Sequence, residues 1–173
     1  MWSDVKEQVS TLKHAELVRL IRELYKLTVS NQNFLNTRFG PSDLKPYIET
    51  IDYCMYPPVR RQDWSVKVAL AKRAIREFTK AKPSDHQGAA ELKTYFIERG
   101  TEFCIDHGYF HEPLCQAFLR MYISAIDTIQ KVPREHQDGF RRRLRALVNS
   151  IGEIHEAFED AFRDQYENSF AEE

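Results

Sequence analysis

The chain has 173 residues, 42% of them apolar and 29% charged, with only 6 Gly and 7 Pro. That size and composition fit a single compact domain over residues 1–173 and exclude collagen-like and disordered classes. The 25 Lys and Arg stand against 26 Asp and Glu, a net charge of −1, so no global field draws the chain to nucleic acid or to a membrane.

No stretch approaches the roughly 20 apolar residues that span a bilayer. The opening residues Met1-Trp2-Ser3-Asp4 lack the apolar run of a secretory signal. Cys54, Cys104 and Cys115 are odd in number and without framework spacing, which reads as reduced thiols. The expectation is a soluble, cytoplasmic protein with no membrane association. Nothing in the sequence asks for a cofactor.

Helical periodicity runs the length of the chain. Leu17, Leu20, Ile21, Leu24 and Leu27 recur at three- and four-residue steps and predict a first helix over 15–37, stopped by Gly40-Pro41, with Thr28-Val29-Ser30 its weakest stretch. Ser42 reads as the cap of a short helix to about Tyr53, carrying Leu44, Ile48 and Ile51 and ended by Pro57-Pro58. Ser65 reads as the next cap, before the stripe Val66, Leu70, Ala74 and Phe78 that ends ahead of Pro83. Ser84 and Asp85 offer caps for a helix with Leu92, Tyr95, Phe96, Arg99 and Phe103, in which Gly100 marks a kink or a close packing contact.

The segment 113–131 carries the broadest apolar arc, Cys115, Phe118, Leu119, Tyr122, Ile123, Ile126 and Ile129, and is expected to be the central helix. From Glu135 a last pattern places Phe140, Leu144, Leu147, Ile151, Ile154, Phe158 and Phe162 on one stripe, with Gly152 positioned to bend or divide it. Period-two alternation and hairpin dipeptides are absent. The fold class is all-α, with about six helices in a bundle or a short stack of antiparallel helical hairpins. Gly100, Ala117, Met121 and Pro133 echo a tetratricopeptide unit faintly, but no second copy aligns. The expected core centres on Phe78, Phe118, Tyr122, Ile126, Leu144, Leu147 and Ile151.

Residues 24–39 read LYKLTVSNQNFLNTRF, a Leu-Tyr-Lys start, an Asn-x-x-Phe-Leu segment and an Arg-Phe pair. With Ala71-Lys72-Arg73-Ala74-Ile75 and Glu98-Arg99-Gly100-Thr101-Glu102-Phe103, this resembles an uncharacterised bacterial family of small all-helical proteins, a domain of unknown function. The resemblance implies a helical fold in a bacterial cytoplasm. It supplies no reaction, ligand or catalytic residue.

Chemistry-bearing residues are sparse. Cys104, His107, His111 and Cys115 offer two thiols and two imidazoles to a zinc ion, but they interleave around a turn instead of forming the close pairs of structural zinc sites. His155 lies among Glu153, Glu156, Glu159 and Asp160, yet Gly152 occupies the position where a Glu-x-x-His metal motif needs its carboxylate. None of the six His follows an Arg at the four-to-six-residue interval used by one class of helical ribonucleases. Phosphate loops and nucleophile elbows are absent as well.

Charge is distributed unevenly. Residues 153–173 hold eight acids against Arg163, a net −7, while the preceding residues sum to +6. Basic residues gather at Arg60 and Arg61, at Lys72, Arg73, Arg76 and Lys80, and at Arg141, Arg142 and Arg143. Lys72, Arg76 and Lys80 share a helix face, and Tyr53, Tyr56 and Trp64 lie near Arg60 and Arg61, so a nucleic-acid surface is one reading. Pairing of the acidic C-terminal helix with the basic body, within the fold or across a dimer, is the other. With no catalytic motif, the leading expectation is a non-catalytic protein-interaction domain, an adaptor or a self-associating protein. The alternatives are nucleic-acid binding through the basic faces and metal binding at 104–115.

Overall fold

The computed structural model describes residues 1–58, 66–152 and 156–170. Among these residues the chain forms nine helices and no strand, in two compact units, Met1–Pro41 and Ser42–Glu173. The all-α class holds, and about six helices is an undercount.

The first unit contains α1 (Trp2–Ser10), α2 (His14–Leu27) and α3 (Val29–Phe39). At the start of α2 the Lys13 amide donates to Glu16 Oε2 at 2.7 Å, the acidic side chain sitting in the first turn where it satisfies a free N–H. The single helix expected over 15–37 is two. Thr28 is extended, at φ −149° and ψ 152°, and its side chain accepts the Asn31 amide at 3.0 Å to cap α3. Asn31 Nδ2 donates in turn to the Leu24 carbonyl at 2.7 Å, so the break is held from both sides. Helix α1 has no readable period in sequence, since its apolar positions, Trp2, Val5 and Val9, are too few over nine residues.

The second unit contains α4 (Lys45–Met55), α5 (Val68–Ala81), α6 (His86–His107), α7 (Glu112–Ile129), α8 (Arg134–Gly152) and α9 (Glu156–Phe170). Helix α6 packs on α4, α5, α7 and α8, and α9 packs on α7 and α8. Ser42 does not cap α4. Its hydroxyl donates to Asp85 Oδ2 at 2.7 Å, while the other oxygen of Asp85 accepts the Gly88 amide at 2.7 Å and caps α6 as its sequence position predicts. Ser65, the expected cap of α5, lies outside the described residues, and α5 starts after Lys67. Gly108 ends α6 in the left-handed region at φ 60°, where a glycine carries no steric penalty.

The core residues expected from the stripes of the second unit are buried, while the first stripe, Leu17 to Leu27, buries none of its side chains. Phe78, Phe118, Tyr122, Ile126, Leu144, Leu147 and Ile151 are all buried, together with Phe96, Phe103 and Phe162. Helix α7 supplies the largest share, as its broad arc requires, although Ile123 and Leu70 turn outward. The Tyr122 hydroxyl donates to the Leu144 carbonyl at 3.3 Å, which satisfies a buried polar atom and joins α7 to α8. Two polar clusters lock α6 to its neighbours. Arg99 Nε and the Tyr95 hydroxyl both donate to Asp52 Oδ1, at 2.6 and 3.0 Å, and the Arg99 guanidinium stacks 4.3 Å from the Tyr56 ring centre. Arg143 of α8 grips Glu91 and Glu98 of α6 through four hydrogen bonds of 2.6–3.0 Å.

The last apolar stripe is divided, with α8 ending at Gly152 and α9 beginning at Glu156. Among the described residues no helix is long and apolar enough to cross a membrane.

Candidate functional site

Three arrangements of charged and apolar side chains merit a functional reading. The first is a basic groove where α5, α6 and α7 meet. Lys72 and Arg76 stand one turn apart on α5 and leave it on the same side. With Arg120 of α7 and Lys93 of α6 they line a groove of about 450 Å³, floored by the buried Ile75 and Met121 and edged by Thr79 and Ser124. Among the described residues its lining holds four cations and no carboxylate.

The four cations are not held alike. Lys93 Nζ donates to the Ser124 carbonyl, the Ser124 hydroxyl and the Thr128 hydroxyl at 3.1, 2.8 and 2.6 Å, all neutral acceptors. Lys72, Arg76 and Arg120 have no ion pair among the described residues. Partial burial lowers the Lys72 pKa, and the charges of Arg120 and Arg76 lower it further. Burial likewise lowers that of Lys93, with Lys131 adding to the effect and Asp127 opposing it. A second hollow, also of about 450 Å³, shares Lys72 and Arg120 and continues over Val68, Leu114 and Ala117 to Tyr109 and His111. The last two rings lie 8° from parallel with centres 6.3 Å apart.

The second arrangement is a wider groove of about 980 Å³ between α8 and α9. Arg141, Arg142 and Arg145 face Arg163, Tyr166 and Glu167 across it, with Asp138 also in the wall. Basic α8 shares this wall with α9, and no ion pair joins the two helices among the described residues. Arg141 Nη2 donates to Gln137 Oε1 at 3.0 Å and its guanidinium lies 4.8 Å from the Phe170 ring centre, while Arg163 pairs with Glu159 along α9. This groove is charge-mixed and its best-placed arginine is engaged.

The third is the surface of the first unit. Helices α1, α2 and α3 bury one side chain, Thr37. Val18, Ile21, Leu24 and Leu27 of α2 are 44–67% exposed, and Trp2 and Phe39 are 73% and 80% exposed. Arg19, Arg22 and Lys26 alternate with Glu16 and Glu23 on the same helix, so the apolar stripe is bordered by charges of both signs.

The remaining sequence-predicted residues have other places. Arg73 pairs with Glu77 at 2.9 Å, Lys80 is exposed on α5 outside the groove, and Arg143 is spent on Glu91 and Glu98. Arg60, Arg61, Trp64, Glu153 and His155 lie outside the described residues. Cys104 and Cys115 are buried in the core. Burial pushes the Cys104 thiol up to about 12. His107 Nδ1 lies 2.9 Å from the Phe103 carbonyl with its ring stacked on Phe103, and His111 is exposed. Among the described residues no group of three or more His, Cys, Asp or Glu is arranged to hold a metal ion.

Sequence reasoning found Lys72 and Arg76 and missed Arg120 and Lys93. Arg120 was detectable in principle as the single cation on the most apolar helix, Glu112–Ile129. Compared with family models, curated proteins and solved structures, the chain matches none.

Proposed function

We propose that this chain is a non-catalytic helical protein that works by association, and that α2 pairs with α2 of a second copy. The observation that supports it is the first unit, whose three helices bury only Thr37 while holding a stripe of large apolar side chains in solvent. A segment of this length sits near the limit of about 40 residues below which small folds lean on oligomerisation, metals or disulfides. The apolar surface it exposes is several hundred Å² by order of magnitude, the scale of a recognition patch and close to the roughly 800 Å² per partner of a standard interface.

A second copy fits this face because its border is charge-mixed, Glu16 and Glu23 beside Arg19, Arg22 and Lys26, so it does not repel itself. Ile21 stands near the middle of α2 within the stripe Val18, Ile21, Leu24 and Leu27, and in a two-fold interface a residue near the axis meets its own copy. The resemblance carried by 24–39, 71–75 and 98–103 supports a bacterial cytoplasmic setting as part of this proposal.

The test is the mass of the full chain in solution by sedimentation equilibrium. A concentration-dependent dimer that Ile21→Asp converts to monomer, with unchanged helix content, supports the reading. A monomer at all concentrations, or a dimer indifferent to Ile21→Asp, contradicts it.

A further inference from the structure

We infer that the groove between α5, α6 and α7 is a binding site for an organic phosphate of nucleotide size, its phosphates held by Lys72, Arg76 and Arg120 and its planar body lying toward Tyr109. The inference is independent of the pairing of α2.

Four cations in a lining with no carboxylate among the described residues raise the potential at one another, and two of them, Lys72 and Lys93, are half-buried. Elsewhere in this chain several cations are paired with acids: Arg73 with Glu77, Arg99 with Asp52, Arg143 with Glu91 and Glu98. Lys72, half-buried, and Arg76 and Arg120, exposed, have no such acid partner among the described residues. An anion in the groove supplies the missing charge.

Geometry narrows the anion. Arg76 and Arg120 offer planar forks to phosphate oxygens and Lys72 a point charge, while the Ser124 hydroxyl at the edge, which accepts from Lys93, keeps its own proton for a neutral hydrogen bond; the Thr79 hydroxyl is spent on the Arg76 carbonyl at 3.0 Å. Lys93 stays tethered to Ser124 and Thr128, so it contributes field and orients the Ser124 hydroxyl. The adjoining hollow, sharing Lys72 and Arg120, is mostly apolar and ends at the Tyr109 and His111 rings. A charged head next to an apolar, ring-lined compartment suits a base joined to two or more phosphates. The two hollows together fall within the 300–1,000 Å³ range typical of small-ligand sites. The groove between α8 and α9 lacks this pattern, because Asp138 and Glu167 share its wall.

The probes are adenosine diphosphate, inorganic pyrophosphate and a short single-stranded oligoribonucleotide, titrated into the full chain at low salt by calorimetry. Saturable binding of the diphosphate, weaker binding of pyrophosphate, and a loss of about tenfold or more in the Lys72→Gln/Arg120→Gln variant support the site. Because that variant removes like charges and breaks no ion pair, it is expected to melt no lower than the parent without ligand and to lose the upward shift the diphosphate gives. Circular dichroism checks that it folds, and Arg142→Gln/Arg145→Gln is the control that leaves binding intact. An oligonucleotide that displaces the diphosphate with a steep salt dependence identifies the same chemistry presented by a strand; one that does not compete identifies a free nucleotide. Absence of saturable binding by the diphosphate and the oligonucleotide overturns the inference. So does binding that survives Lys72→Gln/Arg120→Gln, or binding lost only in the Arg142→Gln/Arg145→Gln control.

Discussion

Gly100 of α6 and Phe118 of α7 are in direct contact: a Cβ built on Gly100 would lie 2.5 Å from Cε1 and Cζ of the Phe118 ring. Met55 closes the same space, its Cε 2.9 Å from that position. The glycine thus serves close helix packing, the contact half of the expectation its sequence position raised. Gly100→Ala improves helix propensity by up to about 1 kcal/mol but overpacks a site whose neighbours are buried, at a cost of about 1–3 kcal/mol. The expected outcome is a net loss of stability, read as a lower urea midpoint with unchanged slope. A midpoint at or above that of the parent contradicts the packing described.

Arg143 ties α8 to α6 with a planar fork that meets two carboxylates at once. The hydrogen bonds of Glu98 and Glu91 hold its pKa above the ordinary arginine value against the opposing effect of burial. All three side chains are about 30% exposed, so solvent screens part of the interaction. Arg143→Gln is expected to cost about 1–2 kcal/mol, since two partly buried carboxylates lose a shared partner. Arg143→Lys keeps the charge without the fork and is expected to recover less than half. Chemical denaturation of the three proteins distinguishes this from a plain charge effect, in which Lys would restore the parent value.

The three cysteines give a pH-dependent prediction. Burial raises the thiol pKa of Cys54, Cys104 and Cys115, that of Cys104 from 9.0 to about 12. A folded-state value above the unfolded one means the native state holds its proton more tightly, so this contribution is complete below about pH 9 and is lost as the pH rises toward 12. Stability is expected to fall through that window. At pH 8, a thiol reagent is expected to modify the native protein slowly and all three cysteines promptly after denaturation. Rapid stoichiometric modification of native Cys104 contradicts its burial.

Most of the second unit was legible from sequence, because its helices bury broad stripes and periodicity reports burial. Phe118, Tyr122, Leu144 and Ile151 all sit where their spacing places them. The helix count was harder, since the breaks depend on single residues. Thr28 divides α2 from α3 by accepting one amide, an interaction that the apolar pattern on either side does not encode. Ser42 is a plausible cap by type, but a tertiary hydrogen bond to Asp85, 43 positions away, takes it elsewhere. The basic groove was half visible. Lys72 and Arg76 share a face of one helix, whereas Arg120 and Lys93 join them only through the packing of α5, α6 and α7. Arg143 shows the converse, a member of a sequence cluster that tertiary structure assigns to Glu91 and Glu98.

The most direct test of self-association through α2 is disulfide trapping of Ile21→Cys in the full chain. The native thiols are buried, which leaves position 21 as the accessible cysteine. Under mild oxidation the account predicts a covalent dimer formed faster than in a control at the exposed, charged position Lys80→Cys, with retained helix content. Equal and slow cross-linking at the two positions would contradict the pairing.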